Sequence, residues 1–592
     1  MTKTKEHRTP RTRWIDGGIL AVALLAMAAW GGLALRENPT TDFDDAYMFL
    51  RYAKNFLAGD GVAWNPGGPP VYGTTSLLHF AVVTALWAVF PGADPGGFLV
   101  AVSLVTALLG LGFLVLGCRR LSRSRLLGSR LVLPAAVVPV FLASSTFLFH
   151  ATSGMDTALG FAANGLLILA GLRWIARPGP GSLALVVVAA YLSFSARPDN
   201  LLHATFFPLV GMALLGERGG RRRWRNLAAY AVALGAVLAV DTAVKVMVFG
   251  GALPLSFYAK RSGFYEGYVG YPRWNPVAYL FEILRLVAPF LVAVALFVTR
   301  RSARLVAALL APAALTWAYY FSVVQIMAQK ARFYVPSTPF LAVAAVLVVD
   351  RYVARADGWD PAPGDDAAPR GTALEGARVR LLRGAAVAAL VLASSSALVE
   401  GKLVSAWAKY GLERPAPVES STVTSTAAES PLPSLDWWTS IQAFGELARQ
   451  LPAGTRVAMS EHGLVAALAP QIEVIDMVGL HDPYFAHRGF DVDELLGREP
   501  DLIWFPHPDY TRMIAELWDA EALWGNYDVY PDAFGLGLAI RRRAPQGEDI
   551  AERVELAWRS LYGALQMEDY RAVPAFDVDP PSRVSEVGTG EP

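Results

Sequence analysis

The sequence predicts a polytopic α-helical membrane protein of about eleven transmembrane helices, followed by a C-terminal extracytoplasmic α/β domain. Three observations carry that expectation. Only 17% of the 592 residues are charged, where a soluble globular chain carries about a quarter. Apolar runs long enough to cross a bilayer recur along the first two thirds of the chain. After residue 400 the hydropathy drops and strand-like and helix-like stretches alternate.

The first apolar run, Trp14 to Leu35, follows Lys3, Lys5, Arg8, Arg11 and Arg13. It is too long for a signal-peptide core and no small-x-small cleavage site closes it, so it reads as a retained helix with its N-terminus in the cytosol. Further runs lie at 74–91, 97–117, 130–149, 156–175, 181–196, 199–216, 227–249, 278–299, 303–325, 335–353 and 383–400. If all of them crossed, the arginine-rich stretch Arg119 to Arg130 would fall outside, against the positive-inside rule. Run 74–91 is short, carries His79 and ends in Pro91-Gly92-Ala93-Asp94-Pro95-Gly96. With that run lying on the surface or re-entering, the arginines at 119–130, 173–177, 218–225, 300–304 and 351–383 all become cytosolic. The expected division is therefore a transmembrane domain over 1–400, with its first outer loop at 36–96, an extracytoplasmic α/β domain over 401–565, and a disordered tail over 566–592. Residues 354–380 have linker composition and read as a mobile cytosolic loop, and 413–434 read as a loop or insertion. In the C-terminal domain, 437–451 has an amphipathic helical pattern, and 456–460, 473–477 and 501–505 read as strands.

The same orientation places the unusual polar motifs outside. Asp42, Asp44 and Asp45 put three carboxylates within four residues, just beyond the first span. Adjacent acids repel, which can raise one pKa into the range of an acid–base catalyst; the trio can equally cap a helix running to Leu57. Lys260, Arg261, Lys330 and Arg332 offer cations for a phosphate at the membrane face, or for lipid headgroups. Arg197 and Asp199 are spaced for a structural ion pair. Tyr47, Tyr52, Trp64 and Tyr72 can stack on a sugar or sit as interfacial aromatics. His462, His481, His487 and His507 match no metal-binding spacing and read as polar surface or core histidines. Cys118 stands alone, so neither an internal disulfide nor a cysteine-rich metal site is available. A net charge of +1 gives no polyanion signal, which sets nucleic acid aside.

The string Asp44-Asp45-Ala46-Tyr47, Arg51-Tyr52-Ala53-Lys54-Asn55 and Gly61-Val62-Ala63-Trp64-Asn65-Pro66-Gly67 resembles the first outer loop of the GT-C glycosyltransferases. Within them it is most similar to the terminal β-(1→2) arabinofuranosyltransferases of the actinobacterial cell envelope (AftB-type). Four more stretches match in order: Gly154-Met155-Asp156-Thr157-Ala158-Leu159, Arg197-Pro198-Asp199, Phe257-Tyr258-Ala259-Lys260, and Val474-Ile475-Asp476-Met477-Val478-Gly479-Leu480-His481-Asp482-Pro483. The resemblance implies sugar transfer outside the plasma membrane from a polyprenyl-phosphate donor, decaprenyl-phospho-arabinofuranose, to the arabinan of arabinogalactan or lipoarabinomannan. It implies catalysis by Asp44 and Asp45 and donor-phosphate contact by Lys260, with Lys330 and Arg332 following by position and charge. It places Arg51, Asn55, Asn65, Asp156, His481 and Asp482 with the aromatics, Arg197 and Asp199 on the sugar and acceptor side. Donor and product would share the β configuration, a retaining outcome. No cofactor is required, because a lipid monophosphate can leave on cationic side chains alone; a divalent metal is left open. Three departures bear on sugar and acceptor identity: Val71-Tyr72-Gly73 replaces the family's Val-Glu-Gly, Pro254-Leu255-Ser256 its Pro-Asn-Thr, and Asp156 its Glu.

Two other functions compete. A lipid-linked-sugar transporter would place ionisable groups inside its spans, where Asp241 and Lys245 are the main instance. A non-catalytic envelope scaffold would use the outer domain to recruit partners.

Overall fold

The computed structural model describes residues 10–124, 126, 129–216, 220–261, 275–322, 329–356 and 431–572. The helices of the N-terminal part, in chain order, are α1 (Pro10–Glu37), α2 (Asp44–Ala58), α3 (Leu77–Val89), α4 (Pro95–Leu121), α5 (Val132–Leu142), α6 (Ser145–Thr152), α7 (Thr157–Ala176), α8 (Pro180–Ala196), α9 (Leu201–Leu215), α10 (Gly220–Phe249), α11 (Leu255–Ala259), α12 (Asn275–Phe297), α13 (Ala303–Phe321) and α14 (Thr338–Ala356).

Seven of these segments are long and apolar enough to cross a membrane: α1, α4, α7, α10, α12, α13, and α14 with the turns that precede it from Gln329. An eighth is the pair α5–α6, which passes the test together but is bent by 78°. The expected eleven spans therefore stand at seven or eight among the described residues. Helices α8 and α9 have 17 and 15 residues, or about 22–26 Å at 1.5 Å per residue, short of a ~30 Å hydrocarbon core without tilt or thinning. Run 383–400 lies outside the described residues, as do 357–380 and 413–430 of the two loops. Helix α3 has 13 residues and is too short to span. Its N-cap Ser76 accepts from His79 N at 3.1 Å. At the head of α4, Pro95 sits in the first turn and Asp94 accepts from Gly97 N at 2.7 Å, the usual way to satisfy the first donors of a helix.

Burial sorts the spans. Helix α14 is almost wholly inside the bundle. Helix α10 shows Val232, Val240 and Met247 on its outer surface, and α1 shows Val22 and Leu25; in a bilayer these faces meet lipid.

The C-terminal part starts with α15 (Trp437–Ala448) and continues with β1 (Arg456–Met459), α16 (Gly463–Leu468), β2 (Glu473–Asp476), α17 (Pro483–Arg488), α18 (Val492–Gly497), β3 (Leu502–Trp504), α19 (Thr511–Trp518), α20 (Glu521–Asn526), β4 (Tyr527–Tyr530), β5 (Leu538–Arg541) and α21 (Gly547–Tyr562). The strands form one sheet in the order β2-β1-β3-β5-β4. β2, β1 and β3 are parallel, with Ala458 opposite both Ile475 and Ile503. β5 and β4 close the sheet antiparallel, with Ile503 opposite Ala539. Alternate residues serve two cores, as strand geometry requires. Val457, Met459, Leu502 and Trp504 face a core containing Phe444 of α15 and Trp558 of α21. Ala458, Ile475 and Ile503 face another containing Phe485 and Leu517. The first three strands fall where the hydropathy pattern put them, each a residue or two shorter; β4, β5 and α21 were not anticipated.

The first of these cores does not stop at the C-terminal region. Ala46, Phe49, Tyr52 and Ala53 of α2 and Trp64 of the following loop belong to it. Helix α2 is therefore built into the sheet's own packing, although some 400 residues separate the two in the chain.

Candidate functional site

Helix α2 meets the carboxyl ends of β1 and β2. In parallel α/β sheets this edge is where ligands ordinarily bind, because strands end there and loops are free to vary. Here side chains of α2 and its loop occupy it.

The three acids separate at this junction. Asp44 is buried, and its carboxylate accepts from Gly463 N at 2.8 Å and Leu464 N at 2.7 Å. It caps α16; α2 itself starts at Phe43 without a side-chain cap. The capping possibility is met on a helix from another part of the chain. Gly463 is required for this approach, since a β-carbon there would stand 2.0 Å from the Asp44 carbonyl oxygen. Burial raises the Asp44 carboxyl pKa, opposed chiefly by the Leu464 N–H. Asp45, one position on, turns the other way. Its Oδ2 lies 3.5 Å from a guanidinium nitrogen of Arg332.

Asp45 lines a cavity of about 80 Å³ together with Thr74, Thr75, Ser256, Lys260, Arg332 and His481. That is the room of two or three waters or one phosphate group. Met48, Phe49, Gly73, Met155, Phe333 and Leu480 complete the wall. Of the four cations expected to hold a phosphate, two converge here. Arg332 follows Lys330 and Ala331, both held at positive φ (49° and 56°), a conformation that non-glycine residues adopt at a cost of about 1–3 kcal/mol each. Lys260 ends α11, which is tied to the loop after α2 by Leu255 N donating to Tyr72 O at 2.8 Å. Desolvation by the crowded cavity rim, although the side chain keeps an exposed face, then the charge of Arg332, bring the Lys260 ammonium down to about 8. Lys330 and Arg261 do not line this cavity: the Lys330 carbonyl is 2.9 Å from His150 Nε2, and Arg261 packs over Phe257.

The remaining candidate residues divide into supports and wall. Arg51 is fully buried and donates to four carbonyls: Trp64 at 2.9 Å, Ala466 at 3.1 Å, Ala469 at 3.0 Å and Ile472 at 2.9 Å. It thus holds the C-terminal end of α16, where a cation is favoured by the helix dipole. Asn55 donates to Ala63 O and Trp64 O. Asn65 pairs with both backbone groups of Val474, so its amide occupies part of the open edge of β2. Tyr47 donates to Thr41 O at 2.8 Å. Tyr72 stacks on Phe249 and lies beneath the Lys245 ammonium, which Asp241 pairs at 2.6 Å; these two charges within the apolar part of α10 therefore neutralise each other.

Asp156 and Arg197 form a buried pair at 2.8 Å, and Arg197 also holds Asp199 at 3.1 Å. The guanidinium stacks on Phe333 of the cavity wall, and Thr75 reaches Asp156 at 3.5 Å, so the network underpins the cavity. Asp482 caps α17 through Tyr484 N and Phe485 N and pairs with Arg498. His481 reaches the cavity. Its ring stacks on Trp64 at 3.8 Å between centroids and 12° between planes, and its Nδ1 is 3.0 Å from Tyr52 Oη.

Of three further groups at this junction, Glu461 carries no expectation from the chain, Asp476 entered only within a matching stretch, and His462 was expected only as a polar surface or core histidine. Glu461 follows β1; burial, then the charge of Asp44, push its carboxyl up to about 8. His462 and Asp476 form a buried pair at 3.0 Å. Burial, the largest single influence, works against both charges; the partner, joined by Asp44 and Glu461 at the imidazolium and by His481 at the carboxylate, together outweighs it and holds them at about 9 and about 2. The available signal was position: Ser460-Glu461-His462 directly follows a parallel strand, and Asp476 ends its neighbour.

Comparison with known proteins gives a partial likeness. Residues 435–551 match a family described as "Domain of unknown function (DUF8728)". Over 254 residues the chain is 28% identical to the terminal beta-(1->2)-arabinofuranosyltransferase of Mycobacterium tuberculosis (strain ATCC 25618 / H37Rv), covering 43% of this chain. The match spans about a third (36%) of that relative's length. Among solved structures, ArnT from Cupriavidus metallidurans in the apo state aligns over 90% of this chain and 98% of its own at 12% identity, with a TM-score of 0.48. The Archaeoglobus fulgidus oligosaccharyltransferase AglB, in complex with an inhibitory peptide and a dolichol-phosphate, aligns over 88% and 74% at 12% identity, with a TM-score of 0.41.

Proposed function

We propose that this protein is a membrane glycosyltransferase that moves a sugar, arabinofuranose, from a polyprenyl-phosphate donor to an envelope arabinan outside the plasma membrane. The observation that carries the reading is the convergence of Asp45, Lys260 and Arg332 on one cavity. A carboxylate beside two cations suits a reaction that separates charge at a sugar–phosphate bond. The likeness to a terminal arabinofuranosyltransferase supports the choice of sugar.

In the reaction, Lys260 and Arg332 hold the donor phosphate and take up the negative charge that grows on it as the bond to the anomeric carbon breaks. Asp45 stabilises the positive charge developing on the sugar ring. The acceptor hydroxyl forms the new bond from the face the phosphate leaves, and its proton passes to a departing phosphate oxygen. Configuration is retained, and polyprenyl phosphate is the second product. Asp44 is a positioning residue in this scheme. The N-terminus is cytosolic and the cavity faces outward, as the arginine distribution favours.

The test is transfer from decaprenyl-phospho-arabinofuranose to a synthetic arabinan by the purified full chain. A new β-(1→2) linkage is expected. Transfer from a different polyprenyl-phosphate sugar alone would remove arabinofuranose from the proposal. Movement of the lipid across sealed vesicles with no new glycosidic bond would overturn it in favour of a transporter.

A further inference from the structure

We propose that His462, Asp476 and His481 bind a divalent cation of zinc's ligand preference, which locks the cavity wall to the C-terminal sheet. One ligand atom from each residue lies within 4.8 Å of the other two, and all three residues are buried. They come from separate points of the sheet edge. His462 precedes α16, Asp476 ends β2, and His481 sits in the loop between β2 and α17. Their wide spacing explains why no metal motif shows in the chain: adjacent parallel strands bring the ligands together, where a short motif would use one loop.

Two features point to a ligand rather than a satisfied polar cluster. His462 Nδ1 and Nε2 and His481 Nε2 are buried without a hydrogen-bond partner. Buried ring nitrogens are ordinarily partnered, and His462 Nε2 lies 3.0 Å from Asp476 Oδ1 without hydrogen-bond geometry. Two ligand atoms on one tetrahedral zinc stand about 3.3 Å apart, so the set, whose atoms lie within 4.8 Å of one another, closes by up to about 1.5 Å around the ion. Second, the outer contacts are those that metal ligands require. Tyr52 Oη lies 3.0 Å from His481 Nδ1; in the Nδ1–H tautomer it accepts that N–H and Nε2 is left to ligate. Trp64 fixes the ring plane. Asp476 accepts from Val478 N at 2.8 Å, Gly479 N at 3.1 Å and His481 N at 2.6 Å. Those bonds orient the carboxylate: Oδ1 takes two of them and Oδ2 one, so the lone pair free to ligate sits on Oδ2.

A nitrogen–nitrogen–oxygen set suits zinc, with a fourth position for water. The site does not depend on the proposed reaction and can be tested without it.

Tag-free full chain, purified in detergent, is assayed for bound metals by mass spectrometry. After chelation it is titrated with zinc chloride while its melting temperature is followed. About one zinc per chain is expected, with melting lowered by chelation and restored by zinc. His462→Gln, Asp476→Asn and His481→Gln should each weaken zinc binding by about 100-fold. Wild-type protein that retains no zinc and shows no melting response overturns the proposal, even if every variant misfolds. Undiminished binding in folded variants also overturns it, because the cation must then sit elsewhere.

Discussion

Asp44 and Arg51 stand seven residues apart on α2 and hold opposite ends of one six-residue helix, α16 of the C-terminal region. Two turns of α2 match the length of α16, and the charges match its dipole: the carboxylate at the N-terminal amides, the guanidinium at the C-terminal carbonyls. Lys54 adds a third bond, to Ala467 O at 2.6 Å. The clamp attaches the cavity-bearing helix to the sheet, so its strength sets how firmly Asp45 is presented.

Removing the carboxylate should loosen that attachment. Asp44→Ala leaves two buried N–H groups unpaired, a cost of about 1–3 kcal/mol. Asp44→Asn, which can still accept, should cost less. The readout is thermal unfolding and protease sensitivity of residues 435–572 in detergent, with transfer per folded molecule also reduced, though by less than in Asp45→Asn.

At the other end, Arg51→Met removes the donor to four carbonyls while keeping much of the apolar stem. A loss of about 3 kcal/mol or more is expected, larger than for Asp44→Ala. Equal melting temperatures for Arg51→Met and wild type would show that the clamp contributes nothing.

Asp45→Asn keeps shape and removes charge. Transfer should fall at least about 100-fold with melting unchanged, the reverse of the Asp44 pattern. If Asp45→Asn transfers normally, the assignment of the reacting carboxylate fails.

Lys260 gives the pH dependence its sign. Its folded pKa, about 8, lies below the ordinary 10.5, so it loses its proton in the fold before it would in the unfolded chain. Without donor, stability should rise slightly between pH 8 and 10.5, where only the unfolded chain holds the proton. Donor binding moves oppositely: KM should be flat below pH 8 and climb above it. Lys260→Arg, which stays charged, should flatten the profile.

Gly73 tests the wall. A β-carbon there would stand 2.2 Å from His481 Nδ1 and 2.3 Å from Tyr52 Oη, so Gly73→Ala must displace one of them. Both zinc retention and transfer should drop. Gly92→Ala, where the added methyl meets open space, should leave both unchanged.

What the chain alone determined are properties held within one segment. The hydropathy of each long helix, the shortness of α3, and the first three strands depend on residues a few positions apart, and they could be read in order. β4 and β5 could not, since four residues such as Tyr527-Asp528-Val529-Tyr530 become a strand only against a partner already in place. The candidate site divides along the same line. The acids near residue 44, Lys260 and Arg332 could be singled out from the chain as candidates, whereas His481 read as an ordinary histidine and came to the site only through the resemblance. Which acid faces the cavity was not, because neighbouring residues on a helix point about 100° apart. Only the docking of α16 decided that Asp44 would be a cap and Asp45 a cavity wall. Tertiary structure likewise assembled His462, Asp476 and His481: strand pairing, a long-range contact, is what makes residues 14 and 5 positions apart neighbours around one point.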